Sequence, residues 1–300
     1  MPVMLVASLA LWFIGGLSDI LWLVPSEEAL TETLAVKTVS LLVFFATAYL
    51  LNSLRLFERR VNWLIPLFLW LIAIFCNHDD AIAAFSTLMV MVAVAILFSS
   101  QQLEVAECRV YTSFAITTSL SFIVPLCLWI LPPMLFFLLV SGIFTVKRMF
   151  AMLLGMVTPY WLVYGTVYIY PEADICTRFL HEFVASHAMF ASEMPITGLL
   201  KIVVELLLLL PASVAFMTSS SPAKPMLRKR LLFFLCLNIY LIILSFAYPL
   251  QDVLFIWRIP GMSIVAAYMF SLKITRVSNV YFIFMNLIWL LMAVFNVWSK

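Results

Sequence analysis

Two pairs of adjacent acidic residues are the first candidates for chemistry in this sequence. Glu27 and Glu28 follow the first apolar segment, and Asp79 and Asp80 follow the third, directly after an Asn-His pair. Neighbouring carboxylates of this kind could act as a general base or bind a divalent cation. A plain hydrophilic turn is the alternative, because Asn and Asp favour turn geometry. We treat these four acids as candidate catalytic residues and predict no metal cage.

Charged residues also occur inside apolar segments. Asp19 lies near the end of the first segment, and Glu205 lies one helical turn after Lys201 in a later one. This spacing lets Lys201 and Glu205 pair on one helical face. Inserting a charge near the middle of a bilayer costs about 2.5 to 3.5 kcal/mol, so such residues are candidate functional sites. The alternatives for Glu205 are a structural pair with Lys201 or a protonated carboxyl group.

Arg258 is the candidate for binding an anion. It lies between Trp257 and Pro260, in a gap between two predicted helices, where we expect the outer surface. An arginine there could bind a phosphate bidentately, or its side chain could reach the interface without a binding role. Arg258, Lys201, Glu205 and Asp19 are thus the candidate substrate-binding residues.

The elements that must position these residues are transmembrane helices. Of the 300 residues, 65% are hydrophobic and 11% are charged, a balance outside that of soluble domains. Because lipid cannot hydrogen-bond the backbone, long apolar runs without alternation predict an all-α polytopic bundle of about 11 helices. The predicted helices are Val3–Val24, Val36–Asn52, Val61–Cys76, Ala81–Ser99, Thr112–Leu131, Pro133–Val146, Met149–Tyr170, Gly198–Met217, Leu231–Tyr248, Gly261–Ile274 and Val280–Trp298.

One apolar stretch must reverse direction. The segment between Arg109 and Lys147 carries no charge, and as a single helix it would be about 55 Å long, nearly twice the thickness of the hydrocarbon core. Proline offers no backbone N–H, and the residue before a proline avoids the helical region. We therefore predict the reversal at Pro132-Pro133.

The charge distribution predicts an orientation. Twelve of the 17 lysines and arginines fall in gaps on one side of the predicted helices and five on the other. Short loops rich in positive charge stay in the cytoplasm. We therefore predict a multi-pass protein of the plasma (inner) membrane with a cytoplasmic N-terminus and a C-terminus outside. The net charge of +2, without a dense basic tract, argues against nucleic-acid binding.

One outer segment is long enough to have structure of its own. Residues 171–192 begin with a proline and two acids and then carry Phe residues at near-helical spacing. This pattern predicts an amphipathic helix at the outer interface, either a surface cover or a lid over a site. His181 and His187 are six residues apart, which is too far for one face of a zinc-binding helical turn.

A family resemblance covers much of this layout. Residues 52–170 contain NSLRLFERR, SSQQ, SLSFIVPLCLWILPP and FTVKRMFAMLLGMVTPYW. With these motifs the chain resembles a family of bacterial inner-membrane proteins of about this length, over its whole extent. The shared residues are chiefly Gly155, Thr158 and Pro159, after a basic turn. The resemblance implies a multi-helix bundle and carries over no catalytic residue.

The layout is also similar to that of C-type glycosyltransferases, membrane enzymes that take sugar from a polyprenyl-phosphate carrier at the outer face. The similarity lies in the helix count, the inside N-terminus and the short hairpins. The acidic motif of those enzymes lies in the first outer loop, where this chain has Glu27-Glu28. The loop is much shorter here and lacks an acid-x-acid motif. This resemblance implies a polyprenyl-phosphate-linked partner beside the membrane lipids.

Three functions follow as expectations. An enzyme acting on a lipid-linked sugar or other envelope precursor would use the outer acids as base or metal ligand and Arg258 to hold the phosphate. A transporter or flippase would instead use Glu205 and Asp19 inside the bundle. A structural subunit of a membrane complex would need no site at all. The sequence leaves the cofactor open.

Overall fold

The computed structural model describes residues 27–54, 64–75, 81–102, 106–169, 196–218, 225–248, 252–272 and 276–298, together with Val6, Ser8, Leu9 and Trp12. All regular structure in these ranges is helical. The α-helices are α1 Glu27–Ser53, α2 Leu64–Phe75, α3 Ala81–Ser99, α4 Glu107–Leu120, α5 Leu131–Ser141, α6 Val146–Ile169, α7 Ile196–Thr218, α8 Pro225–Ala247, α9 Asp252–Leu272 and α10 Arg276–Trp298. Short 3₁₀-helices occupy Ser100–Gln102 and Pro125–Ile130.

The all-α membrane architecture is confirmed. By length and composition, six of these helices could cross a membrane, namely α1, α3, α6, α7, α8 and α9, so the chain is a multi-pass membrane protein. Shorter apolar helices accompany them, including Leu64–Ala73 and Pro125–Ser141. The count of eleven stays a prediction. The predicted helix Val3–Val24, apart from the four positions above, and the predicted interfacial helix at 171–192 lie outside the described residues.

The predicted place of the chain reversal is wrong. Helix α4 ends at Leu120, and the chain turns before Pro125 through Val124, whose backbone is extended (φ −129°, ψ 96°), as a residue before proline prefers. Pro132 and Pro133 instead lie in the first turn of α5. A proline costs no hydrogen bond in the first turn, because the N–H groups there have no partner within the helix. The earlier proline therefore makes the turn.

The ninth helix also differs from its prediction. We expected a helix from Gly261, but α9 begins at Asp252 and keeps Pro260 inside it. Residues 254–268 are all buried. A helix covered on every side belongs at the centre of a bundle. Helices α2, α3, α7 and α8 pack around α9, so Arg258, which we expected at the outer surface, lies inside the bundle.

Basic side chains join several helix ends. Arg230, at the start of α8, donates from Nη1 to the carbonyl of Leu54 (3.2 Å) and from Nη2 to that of Phe98 (3.1 Å). Lys229 Nζ donates to the carbonyl of Ser141 (2.9 Å), at the end of α5. Cations thus bind the carbonyl groups that helix ends leave unpaired. We call this side of the bundle, where α1, α3 and α5 end and α8 begins, the basic end.

Candidate functional site

An ion pair inside the bundle is the strongest candidate site. Arg258 Nη1 of α9 lies 2.8 Å from Glu205 Oε2 of α7, and the two side chains are 3% and 0% exposed. A buried charge is costly unless an opposite charge balances it. The pair therefore explains how α9 can carry an arginine in an otherwise apolar, fully covered stretch.

The pair is incompletely hydrogen-bonded. Among the described residues, neither Glu205 oxygen accepts a hydrogen bond and Arg258 Nε donates none, so the 2.8 Å contact joins the charges without hydrogen-bond alignment. Most buried polar groups in proteins find a partner. Unused hydrogen-bonding capacity at a buried charge pair is what a ligand could satisfy.

An aromatic ring links a second cation to the pair. The Arg258 guanidinium carbon lies 4.7 Å from the centroid of the Phe255 ring, and Lys201 Nζ lies 5.4 Å from the same centroid. Cations are attracted to the face of an aromatic ring at such distances. Lys201 is also one turn before Glu205 on α7. Two cations and one acid therefore share a small region between α7 and α9.

The amide side chain of Asn238, from α8, contacts α9 at Gly261, about one helical turn after Arg258. Asn238 of α8 is fully buried; its Nδ2 donates to the carbonyl of Phe234 (3.0 Å), while its Oδ1 accepts no hydrogen bond from the described residues. The amide packs against Gly261, where an added Cβ would overlap it. Glycine at 261 thus makes room for Asn238. We call Lys201, Glu205, Asn238 and Arg258 the polar cluster.

Trp257 anchors the other side of α9. Its indole Nε1 donates to Ser86 Oγ of α3 (3.0 Å), and both residues are buried. Trp257 precedes Arg258 in the chain, so this bond restricts rotation of α9 about its axis. The bond therefore helps direct Arg258 toward α7.

The pair lies within the membrane-spanning part of both helices. Glu205 is nine residues into α7, about 14 Å along its axis, and Arg258 is six residues into α9, about 9 Å along it. Arg228, in the first turn of α8, lies over the ring of Phe216 near the end of α7. Helix α7 therefore ends near the basic end and starts at the opposite end of the bundle. Helix α9 follows α8, which begins at the basic end, so α9 also starts at the opposite end. The Glu205–Arg258 pair is thus closer to the end opposite the basic end.

The sequence-predicted candidates fall into three groups. Of them, the structure brings together Glu205, Lys201 and Arg258, with Arg258 as the direct partner of Glu205. Asp19, Asp79 and Asp80 lie outside the described residues. Glu27 and Glu28, expected in a loop, are instead the first two residues of helix α1, and the structure describes their backbone only.

Sequence reasoning missed Asn238 and Phe255. Asn238 is an isolated amide in the apolar run LLFFLCLNIYLIILSF, and a lone polar residue in such a run was the available signal. Phe255 carried no such signal, because one aromatic among 26 Phe residues stands out only once the fold puts cations over its ring.

Comparisons with known proteins add no identity. The chain matches no protein-family model, no curated protein and no solved structure. The two resemblances drawn from its motifs and layout therefore remain predictions.

Proposed function

We propose that the protein is a membrane transporter or flippase whose substrate site contains the Glu205–Arg258 pair. The observation that carries this proposal is a charge pair 0% and 3% exposed, inside a bundle of apolar helices, with hydrogen-bonding capacity left over. Ionisable residues within membrane spans most often mark substrate, ion or proton pathways.

The two helices that hold the pair support this proposal. Each contains a proline within its span, Pro211 in α7 and Pro260 in α9. A proline removes one backbone hydrogen bond and weakens the helix at that point. Transporters commonly place their sites where membrane helices are interrupted. Weak points in both α7 and α9 would let their halves move beside the pair.

An enzyme acting at the outer face on a lipid-linked precursor is the second candidate. Its specific support is the position of Arg258, closer to the side opposite the basic end, which the charge distribution predicts to be the outer side. The pairing with Glu205 weakens this candidate, because an arginine already held by a carboxylate is less available to a phosphate. A structural subunit remains the third.

Solvent access to the polar cluster distinguishes these functions without knowledge of the substrate. Lys201→Cys and Asn238→Cys, each in a background where all five native cysteines are serine, place a thiol in the polar cluster, beside Phe255 or Gly261. A membrane-impermeant methanethiosulfonate is added to sealed vesicles of each orientation. A transporter exposes its site alternately to both sides, so we expect labelling of at least one of these thiols from both.

The matched control is Val157→Cys on the lateral surface of α6, where Val157 is 57% exposed and faces lipid. Because thiolates react in water, this control stays unlabelled. Labelling of the site cysteines from one side only would contradict transport and favour a one-sided enzyme cleft. Labelling from neither side would contradict both and leave the structural subunit.

A further inference from the structure

We propose that the site between α7, α8 and α9 binds an uncharged, hydroxylated substrate, a sugar or another polyol, and that the Glu205–Arg258 pair stays formed beside it. This inference rests on the proposed function and names the class of substrate. It comes from the hydrogen-bonding atoms that Glu205, Asn238 and Arg258 leave unused.

Three buried side chains from three helices have hydrogen-bonding atoms without a partner. Glu205 of α7 and Asn238 of α8 are 0% exposed, and the side chain of Arg258 of α9 is 3% exposed. Among the described residues, both Glu205 oxygens and Asn238 Oδ1 accept no hydrogen bond, and Arg258 Nε and Nη1 donate none. A buried polar atom without a partner is destabilising, and most such atoms find one. These atoms therefore require partners that the described residues do not supply.

The unused atoms belong to neighbouring positions of the bundle. Arg258 contacts Glu205 directly at 2.8 Å, and Asn238 packs against Gly261, three residues after Arg258 on α9. Positions three apart on a helix are neighbours on its surface. Helices α7, α8 and α9 also pack against one another. A single ligand could therefore contact all three side chains once α7 and α9 separate.

The kinds of unused atoms decide the class of ligand. Three of them are acceptor oxygens, on Glu205 and Asn238, and two are donor nitrogens of Arg258. A hydroxyl group both donates and accepts hydrogen bonds, so neighbouring hydroxyl groups can pair with both kinds of atom. An ammonium group only donates and a carboxylate only accepts, so either would leave part of the set without partners. The described atoms therefore favour hydroxyl groups over a charged group.

An uncharged ligand also leaves the ion pair intact. A carboxylate or phosphate bound to Arg258 would compete with Glu205, and a cation bound to Glu205 would compete with Arg258. Either exchange leaves one buried charge without its partner, which is strongly destabilising. A hydroxylated ligand can donate to Glu205 and accept from Arg258 while the 2.8 Å contact between them persists.

Direct binding in a detergent without hydroxyl groups tests this class of substrate. The full chain is purified in lauryldimethylamine oxide, because maltoside and glucoside detergents carry sugars that would compete. Tritiated glucose, myo-inositol and a short-chain glucosyldiacylglycerol are the probes, measured by scintillation proximity. We expect saturable binding of at least one probe. Its charged derivatives, glucuronate and glucosamine for the glucosyl probes or inositol phosphate for inositol, should compete about tenfold less well than the uncharged compound, because they would break the ion pair.

A matched pair of variants locates the binding. Asn238→Leu removes the open amide acceptor at similar volume, and we expect about tenfold weaker binding from the lost hydrogen bond. Asn286→Leu is the control, because Asn286 of α10 also donates to the carbonyl four residues earlier, that of Phe282 (2.7 Å), but does not belong to the polar cluster. It should leave the affinity unchanged. Asn238→Ala repeats the test if leucine does not fit beside Gly261.

The outcomes distinguish this inference from the proposed function. Binding of glucose or myo-inositol indicates a soluble substrate, and binding of the glucosyl lipid alone indicates a lipid headgroup. The inference would be overturned by no saturable binding, which would leave water as the partner of the unused atoms, by tighter binding of a charged derivative, or by equal effects of the two leucine variants. Any of these failures with two-sided cysteine labelling intact would leave the transporter proposal standing. Binding with one-sided labelling would overturn transport alone.

Discussion

At the scale of single residues, we expect the balance of charge between Glu205 and Arg258 to control the stability of the protein. Removing one partner of a buried pair leaves an uncompensated charge and costs about 3 kcal/mol or more, whereas removing both costs far less. We expect Arg258→Gln to destabilise the protein by about 3 kcal/mol and Glu205→Gln/Arg258→Gln to recover most of that loss. Unfolding in increasing SDS, followed by circular dichroism, measures both.

Lys229→Gln serves as a control that also removes one positive charge. Lys229 lies at the basic end, and its contact is with the carbonyl of Ser141, so its loss creates no buried unpaired acid. If the double variant were no more stable than Arg258→Gln alone, the stability effects of the two charges would not be coupled. That result would contradict a stabilising role for the Glu205–Arg258 ion pair.

Gly261 and Asn238 form a second dependent pair. A Cβ at position 261 would overlap the Asn238 amide, and overpacking a core costs about 2 kcal/mol. We expect Gly261→Ala to lower the stability, and Gly261→Ala/Asn238→Ala to regain part of it, because alanine at 238 vacates the space. The same SDS unfolding measures the coupling. Additive losses in the double variant would contradict the contact.

At the residue scale, the sequence predicted Glu205, Lys201 and Arg258 as separate candidates but not the pairing of Arg258 with Glu205. Glu205 stands out because a carboxylate in an apolar run is expensive, and that signal is local. Its partner is 53 positions later in the chain, and no local pattern reports which cation comes near it in the fold. The prediction paired Glu205 with Lys201 because only spacing along one helix could be read.

At the scale of elements, the proline in α7 is supported by a neighbouring helix. Pro211 has no N–H for the carbonyl of Leu207, four residues earlier. The Tyr281 hydroxyl of α10 donates to that carbonyl. The bond therefore joins α10 to the point where α7 is weakest, one turn from the buried pair. We infer that Tyr281 sets how easily α7 bends there.

Tyr281→Phe removes this donor and retains the ring. A hydrogen bond contributes about 1 kcal/mol on average, so we expect a loss of that order in SDS unfolding. We also expect faster labelling of Asn238→Cys, because a more mobile α7 opens the site more often. Tyr164→Phe is the matched control, since Tyr164 lies on the exposed surface of α6. Equal effects of both changes would contradict the special role of Tyr281.

Prediction at this scale succeeded where composition alone decides the structure. Helix α3 has the predicted bounds Ala81–Ser99, because polar residues flank an uninterrupted apolar run there. The prediction of elements failed where a proline or a charged residue is compatible with two different structures. Pro132-Pro133 begins a helix rather than ending one, and Arg258 with Pro260 looked like a surface gap although they lie inside α9. Tertiary contacts decide such cases, and the ion pair with α7 decides this one.

At the scale of the whole molecule, the two ends of the bundle differ in what their charged side chains contact. Arg230 and Lys229 bind carbonyl groups where α1, α3 and α5 end, whereas the polar cluster lies toward the opposite side. The cations of the basic end thus join helix ends, while those of the cluster lie between helices. An orientation with the basic end in the cytoplasm would place the cluster closer to the outer surface.

Native Cys108 tests this orientation. It is exposed at the start of α4, beside Arg109, whose Nη1 donates to the carbonyl of Ser99 at the basic end. With the other four cysteines changed to serine, we expect an impermeant maleimide to label Cys108 only from the cytoplasmic side. In a cysteine-free chain, Ile196→Cys, at the exposed start of α7, should be labelled only from outside. The reverse pattern would invert the assignment and place the polar cluster nearer the cytoplasm, where a substrate would first meet Arg258 from within the cell.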